Sequence, residues 1–276
     1  MACNQKITLR EYLAINILRN LRFKLLITMG RGVRFFLDIF DSYKKLILDN
    51  GKDSLTEHEV NYLNETVDAY LAKFVSPLPI EIALQSKAIL LCEKLIKDAS
   101  TNSVLNIGSR YDMLSSTLAP RFPSTDFLSV DFGKAYEESL RRLFTVPKNW
   151  RIQGGYPLAL LQDGSAKGDL VVFCGVTVWL TNAEYRSYLK CLSSFASSLV
   201  IVDIWSSAAR HLNLFKVLRP ESIDPDISAI MESSAGGRYA HNHVALLQWA
   251  GYEVNDYEIE GSGLSTYIIS LTATKK

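Results

Sequence analysis

The sequence predicts an α/β fold with a mostly parallel sheet from residue 101 onward, and three observations lead to this prediction. Short apolar runs recur along this part of the chain, at residues 103–107, 126–131, 169–175 and 198–205. Such nearly continuous runs are typical of strands covered on both faces, as in parallel sheets. Helical patterns separate the runs, and this alternation indicates right-handed crossover connections. The last apolar segments, 252–259 and 264–274, predict two antiparallel strands.

The helical patterns in this region begin and end at recognisable residues. The helix predicted over 182–195 follows Thr181, which has capping-box spacing to Glu184. A further helix from about Asn242 to Ala250 ends before Gly251, a residue that suits the position after a helix. Two more helices are predicted between the first strands, over 112–122 and 134–144.

The first hundred residues predict helices throughout. Ser54 and Glu57 have capping-box spacing at the start of one periodic stretch. A second helical pattern runs from Ile80 to Ile96, and a short polar link over 98–102 follows it. We therefore expect an N-terminal helical region over 1–100 and a separate α/β domain over 101–276.

The charge of the chain is balanced in total but uneven along its length. Thirty Lys and Arg residues face 29 Asp and Glu residues, a formal net charge of +1. A nucleic-acid-binding protein needs a surplus of basic residues for its phosphate contacts, so this class is disfavoured. Residues 1–45, however, hold nine basic and three acidic residues, a net charge of +6.

The basic stretch over 1–45 also carries apolar residues and has two explanations. One is an amphipathic region that lies on an anionic membrane surface as a peripheral contact. The other is a helical cap whose apolar side packs on the main domain, with a solvated basic face.

The cysteines and the hydropathy of the chain bear on its compartment. The four cysteines match no zinc or disulfide spacing, and no run approaches the roughly 18 apolar residues of a membrane span. Without a disulfide pattern or a signal-peptide pattern, we expect a cytoplasmic protein.

Two residues at strand ends predict a nucleoside-binding layout. Gly108 follows the first apolar run and precedes a helix, so that the backbone can approach a ligand near free N–H groups. Asp131 closes the second run 23 residues later, where a carboxylate can accept hydrogen bonds from both hydroxyls of a ribose. Ligands of open α/β sheets bind at these carboxyl ends of the strands.

These segments resemble the class I S-adenosylmethionine-dependent methyltransferases. Ser103 to Asp112 falls where that family carries its acidic-x-Gly-x-Gly-x-Gly motif, and Phe127 to Asp131 falls on its ribose-binding acid. Asp169 to Leu180 is similar to its fourth strand and the following turn, and Ala250 to Val254 to the start of its sixth strand. The resemblance covers about residues 100–276 and implies a Rossmann-like, seven-stranded, mostly parallel sheet with helices on both faces.

The resemblance implies S-adenosylmethionine as the cofactor, although the motif departs from the family pattern. Asn106 replaces the acid, and Arg110 and Asp112 stand where glycines are usual. Asp112 either meets the methionine ammonium of the cofactor or pairs with Arg110 and caps the helix. A dinucleotide Gly-x-Gly-x-x-Gly pattern is absent, which disfavours NAD and FAD. The implied cofactor-binding residues are Asn106, Gly108, Ser109, Asp112, Asp131, Phe132, Gln153, Gly154, Cys174 and Gly175.

Three residues are candidates for catalysis. In the topology of this family, the segment over 206–241 arches over the cofactor as an acceptor lid. His241 and His243 flank the start of the helix that follows it, and one of them is predicted as general base; the alternative is a capping or surface role. Asp203 points toward the same pocket to orient the acceptor, act as base or help hold a metal. Because a lone carboxylate is a poor magnesium site, no metal is predicted.

Aromatic side chains supply the predicted wall of the acceptor pocket. They have the alternative of packing in the hydrophobic core. The residues concerned are Trp179, Trp205, Tyr156 and Tyr239.

The acceptor is expected to be a small molecule. The Asn/Asp-Pro-Pro-Tyr signature of adenine and glutamine N-methylation is missing, and Cys174 to Thr177 occupies its place. The near-neutral charge disfavours RNA and DNA. We therefore expect O-methylation of a hydroxyl on a small molecule or sugar. The N-terminal helices over 1–100 are then expected to cover the acceptor or to form a homodimer contact. The alternative is a methyltransferase-like domain that transfers no methyl group and serves as a binding or scaffold protein. The departures from the family's glycine motif support this alternative.

Overall fold

The computed structural model describes eight stretches of the chain: 47–49, 65–74, 79–98, 101–108, 110–206, 228–233, 236–261 and 266–276. Several predictions lie outside them. The basic stretch over 1–45, the capping box at Ser54, the residue Ser109 and most of the predicted lid are among these.

The described residues form seven α-helices and ten β-strands, with a 3-10 turn over Thr177–Trp179. The helices are α1 Val67–Phe74, α2 Pro79–Asp98, α3 Met113–Leu118, α4 Lys134–Leu143, α5 Pro157–Gln162, α6 Asn182–Leu192 and α7 His243–Trp249. The strands are β1 Ile47–Asp49, β2 Ser103–Ile107, β3 Asp126–Asp131, β4 Trp150–Gly154, β5 Leu170–Cys174, β6 Ser198–Ser206, β7 Ser228–Ser233, β8 Gly236–Ala240, β9 Tyr252–Gly261 and β10 Thr266–Lys275.

Seven strands form one sheet in the order β4-β3-β2-β5-β6-β10-β9. The pairs from β4 to β6 are parallel, whereas β10 runs antiparallel to both β6 and β9. The predicted Rossmann-like, mostly parallel sheet with a final antiparallel pair is confirmed. The strands β2, β3 and β5 are buried along nearly their whole length because helices cover both faces of the sheet.

The order of the strands places a switch point between β2 and β5. The chain moves from β2 outward through β3 to β4, then returns to pair β5 with the other edge of β2. At such a point the loops after the two central strands diverge and leave a crevice at their carboxyl ends.

Two hydrophobic layers enclose the sheet. One is built on Tyr185, Leu189 and Leu246 of α6 and α7, and the other on Leu84 and Ala88 of α2. Helix α2 therefore packs on the sheet itself, beside β5 and β6. The domain boundary at residue 100 stays a prediction.

A second, three-stranded sheet has the order β1-β7-β8, with both pairs antiparallel. Strand β1 lies within the region predicted to be helical throughout, and Ile47 is paired with Ile230 of the predicted lid. The expectation of helices over all of 1–100 is therefore wrong at these three residues. The backbone of these three residues is extended and pairs antiparallel with β7.

The predicted capping residues of α6 and α7 make the expected contacts at the ends of these helices. Both hydrogen bonds of the predicted capping box between Thr181 and Glu184 are present. The Asn242 side chain accepts a hydrogen bond from the backbone N–H of Ala245, and Gly251 has a φ of +87° after α7. Within the described stretches, no helix has the length and apolar character needed to cross a bilayer.

Candidate active site

A cavity of about 190 Å³ lies at the carboxyl ends of the central strands, next to the switch point. Helix α2 and the 3-10 turn that follows β5 contribute the rest of its wall. Pockets of this kind, apolar with a few converging polar groups, are the usual ligand sites of α/β folds. Its described lining is Ile80, Glu81, Leu84, Gln85, Gly108, Arg110, Tyr111, Asp131, Phe132, Cys174, Gly175, Val176, Val178, Trp179, Leu180 and Ile204.

Asp131 is the acidic residue at the end of β3 and lines the cavity. Its Oδ1 accepts a hydrogen bond of 2.7 Å from the backbone N–H of Phe132. Burial raises the pKa of Asp131 to about 7, against the opposing effects of this N–H group and the nearby charge of Arg110. A carboxylate that is desolvated and incompletely compensated by the protein is suited to accept hydrogen bonds from a ligand.

Two glycines with positive φ line the cavity for different reasons. Gly108 has a φ of +70°, and a Cβ at this position would lie 2.4 Å from Cγ2 of Val176. Gly175 has a φ of +73°, but there a Cβ would meet only Cδ1 of Leu84, at 3.5 Å. The glycine at 108 thus permits contact with the protein itself, whereas Gly175 leaves open space toward the cavity.

Asn106 and Asp112 are fully buried and bond to each other. Asp112 is the N-cap of α3, where Oδ1 accepts hydrogen bonds from Nδ2 of Asn106 at 2.7 Å and from the backbone N–H of Ser115 at 3.0 Å. Its Oδ2 accepts one from the hydroxyl of Tyr136 at 3.4 Å. Burial raises the pKa of Asp112. Of the two roles considered for Asp112, the structure shows the helix cap, and neither residue belongs to the described lining of the cavity.

Arg110 and Tyr111 follow β2 and face the cavity together with Glu81 of α2. The guanidinium of Arg110 lies 5.2 Å from the ring centroid of Tyr111. The pKa of Tyr111 is raised by burial and, to a smaller extent, by the charge of Glu81 and a hydrogen bond to it, while Arg110 lowers it. The hydroxyl of Tyr70 donates a hydrogen bond to the backbone carbonyl of Arg110 and so anchors this loop to α1.

The end of β4 lies close to the end of β3 but outside the described lining of the cavity. A Cβ at Gly154 would lie 2.1 Å from the backbone oxygen of Gly133, so only glycine permits this approach. Gln153 precedes it on the same strand, and both residues stay predicted cofactor contacts. Phe132, which does line the cavity, packs on Tyr156 with ring centroids 5.5 Å apart.

Asp203 of β6 is buried behind the 3-10 turn and bonded on both oxygens. Oδ2 accepts hydrogen bonds from the hydroxyl of Thr177 and from the backbone N–H of Val178, the latter at 3.1 Å. Oδ1 accepts one from the backbone N–H of Ile204 at 2.7 Å. Burial raises the pKa of Asp203 to about 6, and these donors oppose that rise.

His241 and His243 are buried on the other side of Thr177. Nε2 of His241 lies 2.9 Å from the carbonyl oxygen of Thr177, which can only accept, so Nε2 carries the proton. Its Nδ1 has no hydrogen-bond partner within the described part of the chain. Nδ1 of His243 lies 3.2 Å from the hydroxyl of Tyr185. We call Thr177, Tyr185, Asp203, His241 and His243 the histidine cluster.

Burial determines the charge of the two histidines. It lowers the pKa of His241 to about 4, although the carbonyl groups of Thr177 and Leu180 oppose this effect. It lowers the pKa of His243 to about 3, with a further contribution from His241. Both imidazoles are therefore neutral at pH 7.

Two groups stand out among the predicted site residues. Gly108, Asp131, Phe132, Cys174 and Gly175 line the cavity together. The three candidate bases belong to the histidine cluster and are not part of the described lining.

The four aromatic residues proposed for the pocket wall take different positions. Trp179 lines the cavity, and Tyr156 packs on the lining residue Phe132. Tyr239 stacks on His241 with ring centroids 6.5 Å apart, and the side chain of Trp205 lies outside the described part. Among the described residues, no group of three His, Cys, Asp or Glu side chains is placed to hold a metal ion.

Sequence reasoning predicted that N-terminal helices cover the acceptor, but it did not identify the residues of helix α2 that line the cavity. Glu81, Leu84 and Gln85 form one face of its first turns, with the three-residue and four-residue spacing that puts side chains side by side. This spacing was the available signal. In the structure Gln85 is only 5% exposed, which is unusual for a polar side chain.

Comparisons with known proteins bear on the fold. No protein-family model matches the sequence, and no curated protein sequence matches it significantly. Among solved structures, an N1-methyltransferase of Burkholderia thailandensis with bound 1,6-didemethyltoxoflavin and S-adenosylhomocysteine is 14% identical. The match covers 83% of this chain and 95% of that chain with a TM-score of 0.53.

Two further solved structures give the same result. Magnesium protoporphyrin IX methyltransferase of Synechocystis with bound S-adenosylmethionine is 14% identical over 82% of this chain and 100% of that chain, with a TM-score of 0.52. Human N-acetylserotonin methyltransferase is 12% identical over 87% of this chain and 66% of that chain, with a TM-score of 0.50. The chain therefore has the fold of the class I S-adenosylmethionine-dependent methyltransferases.

Proposed function

We propose that the protein is an S-adenosylmethionine-dependent methyltransferase. The observation that carries this proposal is the position of Asp131 on the cavity wall at the end of β3, next to the switch point of the sheet. This is where a nucleoside ligand of an α/β sheet meets a carboxylate.

The residues around the cavity fit the chemical groups of this cofactor. Asp131 offers a carboxylate for the ribose hydroxyls, and the open space at Gly175 admits a ligand close to the backbone. Leu84, Val178 and Leu180 supply apolar surface to the same cavity. When bound, S-adenosylmethionine supplies an electrophilic methyl group. The protein's own part is to align the acceptor, exclude water and accept a proton.

The proposed acceptor is a hydroxyl group of a small molecule or sugar. The balanced charge of the chain and the sequence Cys174 to Thr177 in place of an N-methylation signature support this choice. The solved structure from Burkholderia thailandensis, which has the same fold, contains the small heterocycle 1,6-didemethyltoxoflavin. The segment over 206–241 is proposed as the acceptor lid.

His241 is the proposed general base among the three candidates. Its Nδ1 is unprotonated and is without a hydrogen-bond partner in the described structure, whereas Nδ1 of His243 contacts Tyr185. Asp203 already accepts hydrogen bonds from three donors. Burial lowers the pKa of His241 to about 4, which leaves the imidazole unprotonated at neutral pH but makes it a weaker proton acceptor than an exposed histidine.

Calorimetry with S-adenosylhomocysteine tests the cofactor proposal. We expect wild-type protein to bind, and Asp131→Ala to bind at least about tenfold more weakly because charge-assisted hydrogen bonds to the ribose are lost. Asp126→Ala, an exposed acid at the other end of β3, is the matched control and should bind normally. No binding by wild-type protein at millimolar ligand would refute the proposal, and unchanged affinity in Asp131→Ala would remove Asp131 from the site.

The second candidate function is a binding or scaffold protein with this fold. It is favoured by Asn106 and Asp112, which are used inside the core rather than at the cavity. Turnover assays with His241→Ala and His243→Ala follow once an acceptor is found. If a ligand-binding protein transfers no methyl group to any hydroxyl compound in a screen, the scaffold function is supported.

A further inference from the structure

The cofactor proposed above has a nucleoside end and an amino-acid end, and the second needs its own binding groups. Its α-ammonium requires an acceptor and its α-carboxylate requires a donor, both preferably charged. Asn106 and Asp112, which the sequence predicted at this end of the cofactor, are not part of the described lining of the cavity. Asn106 is 0% exposed and donates to Asp112, which is itself 0% exposed and holds the N-terminus of α3.

The described lining of the cavity nevertheless includes three charged side chains. They are Glu81 on α2, Arg110 after β2 and Asp131 at the end of β3. With Asp131 ionised, two carboxylates face one guanidinium, so the lining carries a net charge of −1. S-adenosylmethionine carries a sulfonium, an ammonium and a carboxylate, a net charge of +1. The charge of the lining is thus complementary to that of the ligand.

Tyr111 connects Glu81 and Arg110. Its ring lies under the guanidinium of Arg110 at 5.2 Å, and its side chain hydrogen-bonds to Glu81. The backbone of this loop is also fixed, because the Tyr70 hydroxyl donates to the carbonyl of Arg110. An anionic and a cationic group therefore both lie on the cavity wall and share Tyr111 as a neighbour.

Resting on the methyltransferase function proposed above, we propose that Glu81 and Arg110 bind the amino-acid end of the cofactor. Glu81 accepts hydrogen bonds from the α-ammonium, and Arg110 donates hydrogen bonds to the α-carboxylate. The two residues thus take the role that a buried Asn106 and Asp112 leave unfilled. Helix α2, from the N-terminal part of the chain, becomes part of the cofactor site.

Three ligands that differ only at this end test the proposal on the full-length protein by calorimetry. S-adenosylhomocysteine has both charged groups, S-adenosyl-3-thiopropylamine lacks the carboxylate, and 5′-methylthioadenosine lacks both. Arg110→Gln should weaken S-adenosylhomocysteine about tenfold and leave S-adenosyl-3-thiopropylamine within about twofold. Glu81→Gln should weaken both amine-containing ligands about tenfold and leave 5′-methylthioadenosine within about twofold.

A matched pair of control variants comes from the same parts of the chain. Glu93 is on α2 and Arg121 follows α3, and the two form an ion pair away from the cavity. Glu93→Gln and Arg121→Gln should bind all three ligands as wild-type protein does. If Arg110→Gln does not fold, Arg110→Lys keeps the positive charge and should show a smaller loss that is again confined to the carboxylate-containing ligand.

The outcomes separate this proposal from the one on which it rests. Wild-type protein that binds none of the three ligands would refute the methyltransferase function and this proposal with it. Wild-type binding that neither variant changes, or that both weaken equally for all three ligands, would overturn the roles of Glu81 and Arg110 alone. Losses confined to the predicted ligands would support them.

Discussion

Two acidic residues near the carboxyl ends of parallel strands have opposite surroundings in this protein. Asp131 at the end of β3 accepts one backbone N–H group and lines the cavity, whereas Asp203 of β6 accepts three donors inside the histidine cluster. Burial raises the pKa of both, to about 7 and about 6. In the sequence they look alike, since each falls in an apolar run. The number of protein donors, not burial, distinguishes the two acids.

The two regions also differ in charge. The cavity contains Glu81, Arg110 and Asp131, whose charges face a space that a ligand can enter. The histidine cluster contains two imidazoles that burial keeps neutral, with Asp203 tied to backbone N–H groups. We therefore expect substitutions around the cavity to change ligand affinity, and substitutions in the histidine cluster to change stability and, for the proposed base His241, turnover as well.

The largest expected decrease in the free energy of unfolding follows from removing the Asp203 side chain. Asp203→Ala leaves the Thr177 hydroxyl and the N–H groups of Val178 and Ile204 buried without an acceptor, and should lower the free energy of unfolding by about 3 kcal/mol. Urea unfolding at pH 8 measures this change. Asp131→Ala, which removes the acceptor of one N–H group, should lower it by less than about 1 kcal/mol. A larger loss in Asp131→Ala than in Asp203→Ala would contradict the distinction drawn here.

The contact that joins the two regions provides the next prediction. Gly108 touches Val176, which lines the cavity and precedes Thr177 of the histidine cluster. Gly108→Ala adds a methyl group 2.4 Å from Val176 at a φ of +70°, and should cost about 2 to 3 kcal/mol of unfolding free energy. Gly175→Ala has a similar φ but open space, so thermal or urea unfolding should show a cost of only about 1 kcal/mol. Equal costs would mean that the contact with Val176 is not tight.

The pH dependence of ligand affinity tests the charge of Asp131. Its pKa of about 7 without ligand means that the carboxylate gains its charge between pH 6 and pH 8. Because ribose hydroxyls bind the ionised form, affinity for S-adenosylhomocysteine should rise about tenfold across this range. Calorimetry at several pH values measures the rise, and Asp131→Asn should show none. The same slope in the variant would assign the titration to another group.

The smallest expected effect concerns His241. Its folded pKa of about 4 lies below the ordinary value of 6.5, so its contribution to stability is present above pH 6.5 and is lost as the pH falls toward 4. The destabilisation caused by His241→Gln should therefore shrink by about 1 kcal/mol per pH unit in this range. Asp203, whose raised pKa acts in the opposite direction, is present in both proteins and cancels in the difference. Urea unfolding at pH 6.5 and pH 5 measures it; a pH-independent difference would mean that His241 is not buried in its neutral form.

The strands that could be predicted from the sequence are those buried on both faces. Runs such as Asp169 to Gly175 correspond to strands without exposed positions, and these were found almost to the residue. Strand β4 escaped notice because it lies at the edge of the sheet, where exposed Arg151 alternates with buried Trp150 and Ile152. Strands β7 and β8 lie in a segment whose pairing depends on Ile47, almost two hundred residues away.

The candidate site could be predicted only where it follows directly from strand order. Gly108, Asp131 and Gly175 were found because every parallel sheet brings its strand ends to one edge. The spacing of Glu81, Leu84 and Gln85 puts them on one helix face, but it does not reveal that this turn of the helix meets the sheet at the cavity. The burial of Asp112 depended in the same way on Asn106 and Tyr136, which reach it only in the folded core.

The 3-10 turn after β5 contacts the cavity on one surface and the histidine cluster on the other. Val176, Val178 and Trp179 face the cavity, while Thr177 between them bonds to Asp203 and His241 on the other side. A substitution that suits one side has to satisfy the other as well, so few sequences meet both demands. Among the loops at this edge of the sheet, this one should tolerate the least variation. In a library that randomises each loop in turn, it should return the fewest functional variants.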